Sequence, residues 1–98
     1  MKHIMFDRHG SSWMATCDLQ YNGVCDVTIE MKRVKKKWYQ SEYEYFMNFI
    51  CVPESVEELE TIIYKMLDEK FSEVQKETNF RKAYYDLEDV SYFESKGS

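Results

Sequence analysis

Between residues 12 and 33 apolar and polar side chains alternate almost without interruption. Trp13, Ala15, Cys17, Leu19 and Tyr21 fall on one side, and Met14, Thr16, Asp18 and Gln20 on the other. After Asn22-Gly23, the residues Cys25, Val27, Ile29 and Met31 alternate with Asp26, Thr28, Glu30 and Lys32. A period of two marks half-buried strands, here a pair joined as a hairpin. The Asn-Gly step suggests a two-residue loop. Such a loop would pair odd positions with even ones and send the two apolar sets to opposite faces. A three-residue loop, Tyr21-Asn22-Gly23 with Gly23 left-handed, instead pairs Leu19 with Cys25, Cys17 with Val27, Ala15 with Ile29 and Trp13 with Met31. It sets Asp18 against Asp26, a repulsion of about 0.5 kcal/mol. One continuous apolar face outweighs that by several kcal/mol at roughly 25 cal/mol per Å². The odd loop is therefore expected.

Residues 42–52 continue the alternation, with Tyr43, Tyr45, Met47, Phe49 and Cys51 expected on one face. Phe46 and Ile50 interrupt the polar side, as in a central strand or one whose second face is covered. His3 to Asp7 is a candidate first strand, with His3 and Asp7 sharing a face. Then the period changes. Ser55 as N-cap, Glu58 three residues on and acids in the first turn predict a helix start. Val56, Leu59, Ile62, Ile63, Met66, Leu67, Phe71 and Val74 form its apolar stripe. The helix is expected to end or restart near Thr78 or Asn79, and Asp89 to Glu94 to form a strand or tail. Strands first and helix later predict an α+β fold: an antiparallel sheet of three to four strands on one long amphipathic helix, with a short C-terminal helix or strand. Leu19, Val27, Ile29, Leu59, Ile63 and Met66 are expected in the core. Ninety-eight residues are taken as one domain, 1–98.

Composition narrows the function classes. The formal charge is −5 and aromatics reach 16%. Residues 42–98 hold fourteen acidic residues against six basic, whereas residues 1–41 hold four against seven. A net negative chain is poorly suited to nonspecific attraction to nucleic acid or anionic membrane. No apolar run approaches the ~20 residues of a membrane span, and Asp7 and Arg8 break up any signal-like apolar start. Cys17, Cys25 and Cys51 lack metal or redox spacing and are expected as reduced thiols of a cytoplasmic protein.

Catalytic chemistry finds little support. His9 lies near Ser11 and Ser12, but no strained-turn pattern surrounds a nucleophile, and a Gly-rich phosphate loop is absent. His3, Asp7 and His9 match no zinc spacing. No enzyme, metal or cofactor is expected.

Two segments carry binding chemistry. Lys32, Arg33, Lys35, Lys36 and Lys37 with Trp38 and Tyr39 join phosphate-neutralising charge to stacking rings, the makings of a small nucleic-acid-binding module. The opposite case is Tyr84, Tyr85, Asp86, Glu88, Asp89, Tyr92 and Glu94, where carboxylates are set among rings that favour interfaces. Small, acidic, aromatic and without catalytic equipment, the chain resembles in general character phage-encoded inhibitors of host defence, including anti-CRISPR proteins, and toxin-neutralising immunity proteins. That resemblance rests on composition and on no motif. It implies a protein-binding inhibitor that occupies a basic, nucleic-acid-binding surface of a partner. Direct nucleic-acid binding is the alternative.

Overall fold

A computed structural model describes residues 1–88 and Val90. The architecture is the α+β arrangement that the alternation predicts. Four strands, β1 (Lys2–Arg8), β2 (Ser11–Leu19), β3 (Cys25–Lys32) and β4 (Tyr43–Cys51), precede one helix, α1 (Val56–Asp86). The chain divides into two compact units, Met1–Asp68 and Glu69–Ser98. The sheet is an antiparallel meander in the order β1-β2-β3-β4.

The β2–β3 hairpin takes the odd register. Leu19 faces Cys25, Cys17 faces Val27, Ala15 faces Ile29 and Trp13 faces Met31. Gln20 and Val24 close a loop of Tyr21, Asn22 and Gly23, with the Gln20 N–H donating to the Val24 carbonyl at 2.8 Å. Gly23 is left-handed at φ 86°. The β1–β2 turn is the two-residue His9-Gly10, with both residues at positive φ, 55° and 73°. That is the hand which matches strand twist in tight hairpins.

Strand β4 departs from simple alternation. Ile29 pairs with Met47, but Glu30 pairs with Tyr45, so Phe46 is the extra residue of a β-bulge. Its ring turns to the core side and meets Trp13 edge-on at 4.9 Å. The bulge shifts the parity of everything before it. Tyr43 and Tyr45, expected beside Met47, stand opposite Lys32 and Glu30 on the other face. Filling the space beside a buried tryptophan with phenylalanine outweighs keeping a regular ladder.

Helix α1 starts as its capping signal predicts. The Glu58 N–H donates to Ser55 Oγ at 3.1 Å, and Glu58 Oε2 accepts from the Glu54 N–H at 3.1 Å. The expected break at Thr78 or Asn79 does not occur. Thr78 Oγ1 donates to the Val74 carbonyl at 2.9 Å, Glu77 pairs with Arg81 one turn on, and neither glycine nor proline intervenes. Phe80, Tyr84 and Tyr85 therefore belong to the same helix, while the expected strand or tail at 89–94 falls, apart from Val90, outside the described residues.

Within the first unit the core is one layer between the sheet and the start of α1. Trp13, Ala15, Val27, Ile29, Ile63 and Leu67 are almost wholly buried. Of the residues expected there, Val27, Ile29 and Ile63 are buried, and Leu59 and Met66 are half-buried. Leu19, the last residue of β2, is 71% exposed. Burial grades along the helix make a test. Leu67→Ala is expected to cost about 2–5 kcal/mol and Leu59→Ala less. Urea unfolding of both variants checks the order, and equal losses would mean that Leu59 is as deeply covered as Leu67.

Candidate functional site

A charged cluster connects the β1–β2 turn to the helix inside the first unit. Arg8 reaches Asp68 with two parallel bonds of 2.7 Å, from Nε and Nη2. His9 Nε2 lies 2.7 Å from Asp68 Oδ1, the oxygen that also accepts from Arg8 Nε. The Arg8 guanidinium sits 4.5 Å over the Tyr64 ring, which meets Phe6 edge-on at 5.2 Å. The Arg8 bonds, with help from His9, hold the Asp68 carboxyl at about 2. Together these contacts brace the helix against the β1–β2 turn. Neither Asp68 nor Tyr64 stood out in the sequence, and a contact across 60 residues leaves no local signal.

The aromatic segment lies in the second unit, on the last turns of α1. Phe80, Tyr84 and Tyr85 are 70%, 58% and 76% exposed. Their rings form a chain, with centroids 6.4 Å apart from Phe80 to Tyr84 and 5.6 Å from Tyr84 to Tyr85. With Glu77 and Arg81 they line a shallow cavity of about 340 Å³. Asp86 ends the helix and Glu88 follows, and the last turn carries no basic residue. Carboxylates there oppose the helix dipole rather than complement it. Asp89, Tyr92 and Glu94, the rest of the expected partner-binding set, lie outside the described residues.

The basic segment forms the β3–β4 connection. Its charge is divided. Lys32 lies 3.8 Å from Glu42, and Arg33 holds Glu44 at 2.9 Å while also donating to the Ser41 carbonyl. Glu44 is thus taken by Arg33. Lys35, Lys36 and Lys37 are exposed, with Trp38 at 92% and Tyr39 at 62%. Lys37 lies 5.8 Å from the Tyr39 ring centroid, and Trp38 meets that ring edge-on at 5.6 Å.

The sheet has a second face, opposite the helix. Two rows cross all four strands: His3, Thr16, Thr28 and Asn48; and Met5, Met14, Glu30 and Tyr45. Asp7 pairs with Ser12, and Lys32 with Tyr43, on the same face. His3 and Asp7 share this face as expected, where His3 Nδ1 meets Thr16 Oγ1 at 3.0 Å and Asp7 accepts from Ser12 at 2.7 Å. His9 is turned instead to Asp68. Among the described residues, no three His, Cys, Asp or Glu side chains are grouped to hold a metal ion.

The three cysteines are free and cluster at one end of the sheet. Cys25 pairs directly with Cys51 across β3 and β4 and also neighbours Cys17. Burial, then the neighbouring thiols, push the Cys17 thiol up to about 11, and burial first raises Cys51 as well. Beside them lies an open groove of about 590 Å³, lined by Ile4, Leu19, Val56 and Leu59 among others. Thiols so protonated at neutral pH are weak nucleophiles.

Comparison with protein-family models, curated proteins and solved structures finds no match to this chain. No helix among the described residues is long and apolar enough to cross a membrane.

Two outcomes follow from these groups. Asp68 is depressed from 3.8 to about 2, so the stability it contributes is present above the ordinary carboxylate range and lost as pH falls through about 2. Thermal melts of the wild type and Asp68→Asn should differ most near neutral pH and converge in that acid window. A gap unchanged down to pH 2 would show that the charge is not what braces the helix. Secondly, the folded protein should react slowly with a thiol reagent at neutral pH and expose three reactive thiols on unfolding. Fast labelling of the native state would contradict the raised thiol values.

Proposed function

We propose that this protein is a non-enzymatic, protein-binding inhibitor that occupies a basic surface of a nucleic-acid-handling partner. In this it acts in the manner of phage anti-defence or toxin-immunity proteins. The observation that carries the reading is the exposed chain of Phe80, Tyr84 and Tyr85 rings at the end of α1. Large rings left in water are costly unless something covers them, and aromatics are enriched where protein surfaces meet. A helix presenting such rings suits the groove-docking mode of recognition. Asp86 and Glu88, set where the helix dipole disfavours acids, supply charge that a basic partner would welcome.

The second reading, a nucleic-acid-binding module, rests on Trp38, almost fully exposed beside Lys35, Lys36 and Lys37. A ring and three exposed lysines on one connection can stack a base and neutralise phosphates. Charge weighs against it, since the chain as a whole carries −5 and Lys32 and Arg33 already have carboxylate partners.

Titration with a mixed-sequence single-stranded oligonucleotide at low and raised salt decides between the two. The inhibitor reading expects no appreciable binding. Salt-sensitive binding that disappears when Lys35, Lys36 and Lys37 become Ala would overturn it. Against a partner identified by affinity capture, Tyr84→Ala or Tyr85→Ala should raise dissociation by roughly 2 kcal/mol if either ring is a buried anchor. Charge reversal at Asp86 and Glu88 should chiefly slow association and weaken its dependence on salt.

A further inference from the structure

We propose that the uncovered face of the sheet is a docking surface for a basic, arginine-bearing segment of a partner protein. This rests on the reading of the protein as a binder of basic surfaces, and it moves part of the contact to a place that no local sequence pattern marks.

The row Met5, Met14, Glu30 and Tyr45 runs across all four strands, about 14 Å at strand spacing. Met5 is 57% exposed, Tyr45 67%, and Ile50, at the end of a neighbouring row, 70%. Sheets that leave one face to solvent ordinarily make it polar. Here two methionines, an isoleucine and two tyrosines stand on it, the tyrosines brought there by the Phe46 bulge. Adaptable methionines and rigid tyrosines are the side chains that protein-binding surfaces favour.

Charge selects the occupant. The same face carries Asp7, Asp18, Asp26 and Glu30. Among the described residues no lysine or arginine forms an ion pair with any of the four, and Lys32, the basic residue of that face, is turned to Glu42. Asp18 stands directly opposite Asp26, each receiving an amide bond, from Gln20 at 3.2 Å and Asn48 at 2.7 Å. A second copy of the face would set four carboxylates against four, and a nucleic acid would be repelled likewise. An arginine-rich segment satisfies both parts of the surface. Its guanidinium groups pair with carboxylates and stack on tyrosine faces, while its stems cover methionine.

The test is a titration of the isotope-labelled full chain with a synthetic peptide of alternating arginine and leucine, followed by amide chemical shifts. A glutamate–leucine peptide serves as control. The expected result is perturbation at Met14, Thr28, Tyr45 and Asn48 with the arginine peptide alone. Glu30→Lys with Tyr45→Ser should weaken that binding roughly tenfold or more, with the thermal melt unchanged. Ile50→Lys, on a separate exposed position, gives the same readout if the double variant folds poorly. Perturbation confined to Tyr84, Tyr85, Asp86 and Glu88 overturns the sheet-face site and leaves the basic-partner reading standing. Arginine-peptide binding at neither place overturns both. Equal effects from the two peptides overturn the electrostatic basis of the inference.

Discussion

The buried indole of Trp13 is the constraint on which the rest of the first unit depends. A tryptophan can be fully covered only if its N–H finds an acceptor. Nε1 donates to the Arg8 carbonyl at 2.7 Å, across the tight turn of His9 and Gly10. That bond fixes where β1 leaves the hairpin. Arg8, so placed, sends its side chain to Asp68 and Tyr64 of the helix. His9 takes a left-handed conformation that costs a non-glycine residue about 1–2 kcal/mol, and its contact with the same aspartate helps offset the strain. One apolar ring thus sets a turn, and the turn sets the helix brace.

Trp13 also shapes the far side of the sheet. Phe46 turns inward to pack against it, and the extra residue reverses the facing of Tyr43 and Tyr45. The packing that completes the core is therefore what puts tyrosine on the uncovered face. Core and surface are coupled here through strand parity, with no side-chain contact between them required.

Much of this was legible in the sequence, because local chemistry decided it. The odd hairpin loop follows from the need to keep Trp13, Cys17, Val27 and Ile29 on one face. The helix start follows from Ser55 and Glu58, whose bonds form within one turn. Most of what local chemistry does not announce depends on distant partners. Nothing near Phe46 announces a bulge, since its cause is a residue two strands away. Asp68 reads as one more acid on a helix until Arg8 is brought beside it. The continuation past Thr78 runs against the average effect of threonine and asparagine, which weaken helices, because the Thr78 hydroxyl bonds back to Val74 and Glu77 bridges to Arg81. The candidate binding residues divide the same way. Exposed rings at Tyr84, Tyr85, Trp38 and Tyr39 could be listed from composition, but the sheet face could not, because it exists only once β4 has slipped by one.

Stability alone does not account for where the acids stand. Asp18 opposite Asp26 costs about 0.2–1 kcal/mol relative to a neutral pair. Asp86 in a last turn without a basic residue costs a similar 0.3–1 kcal/mol against the helix dipole. Against a net stability of about 5–15 kcal/mol for a small domain, such terms are not negligible. Departures from local rules concentrate at functional surfaces, where a partner supplies what the free chain lacks. The basic connection shows the opposite treatment, for Lys32 and Arg33 have carboxylates provided by Glu42 and Glu44. The chain neutralises part of its positive charge internally and leaves its carboxylates on the sheet face without a cation among the described residues. A basic partner would relieve the repulsion at both acidic places, whereas a polyanion would relieve neither.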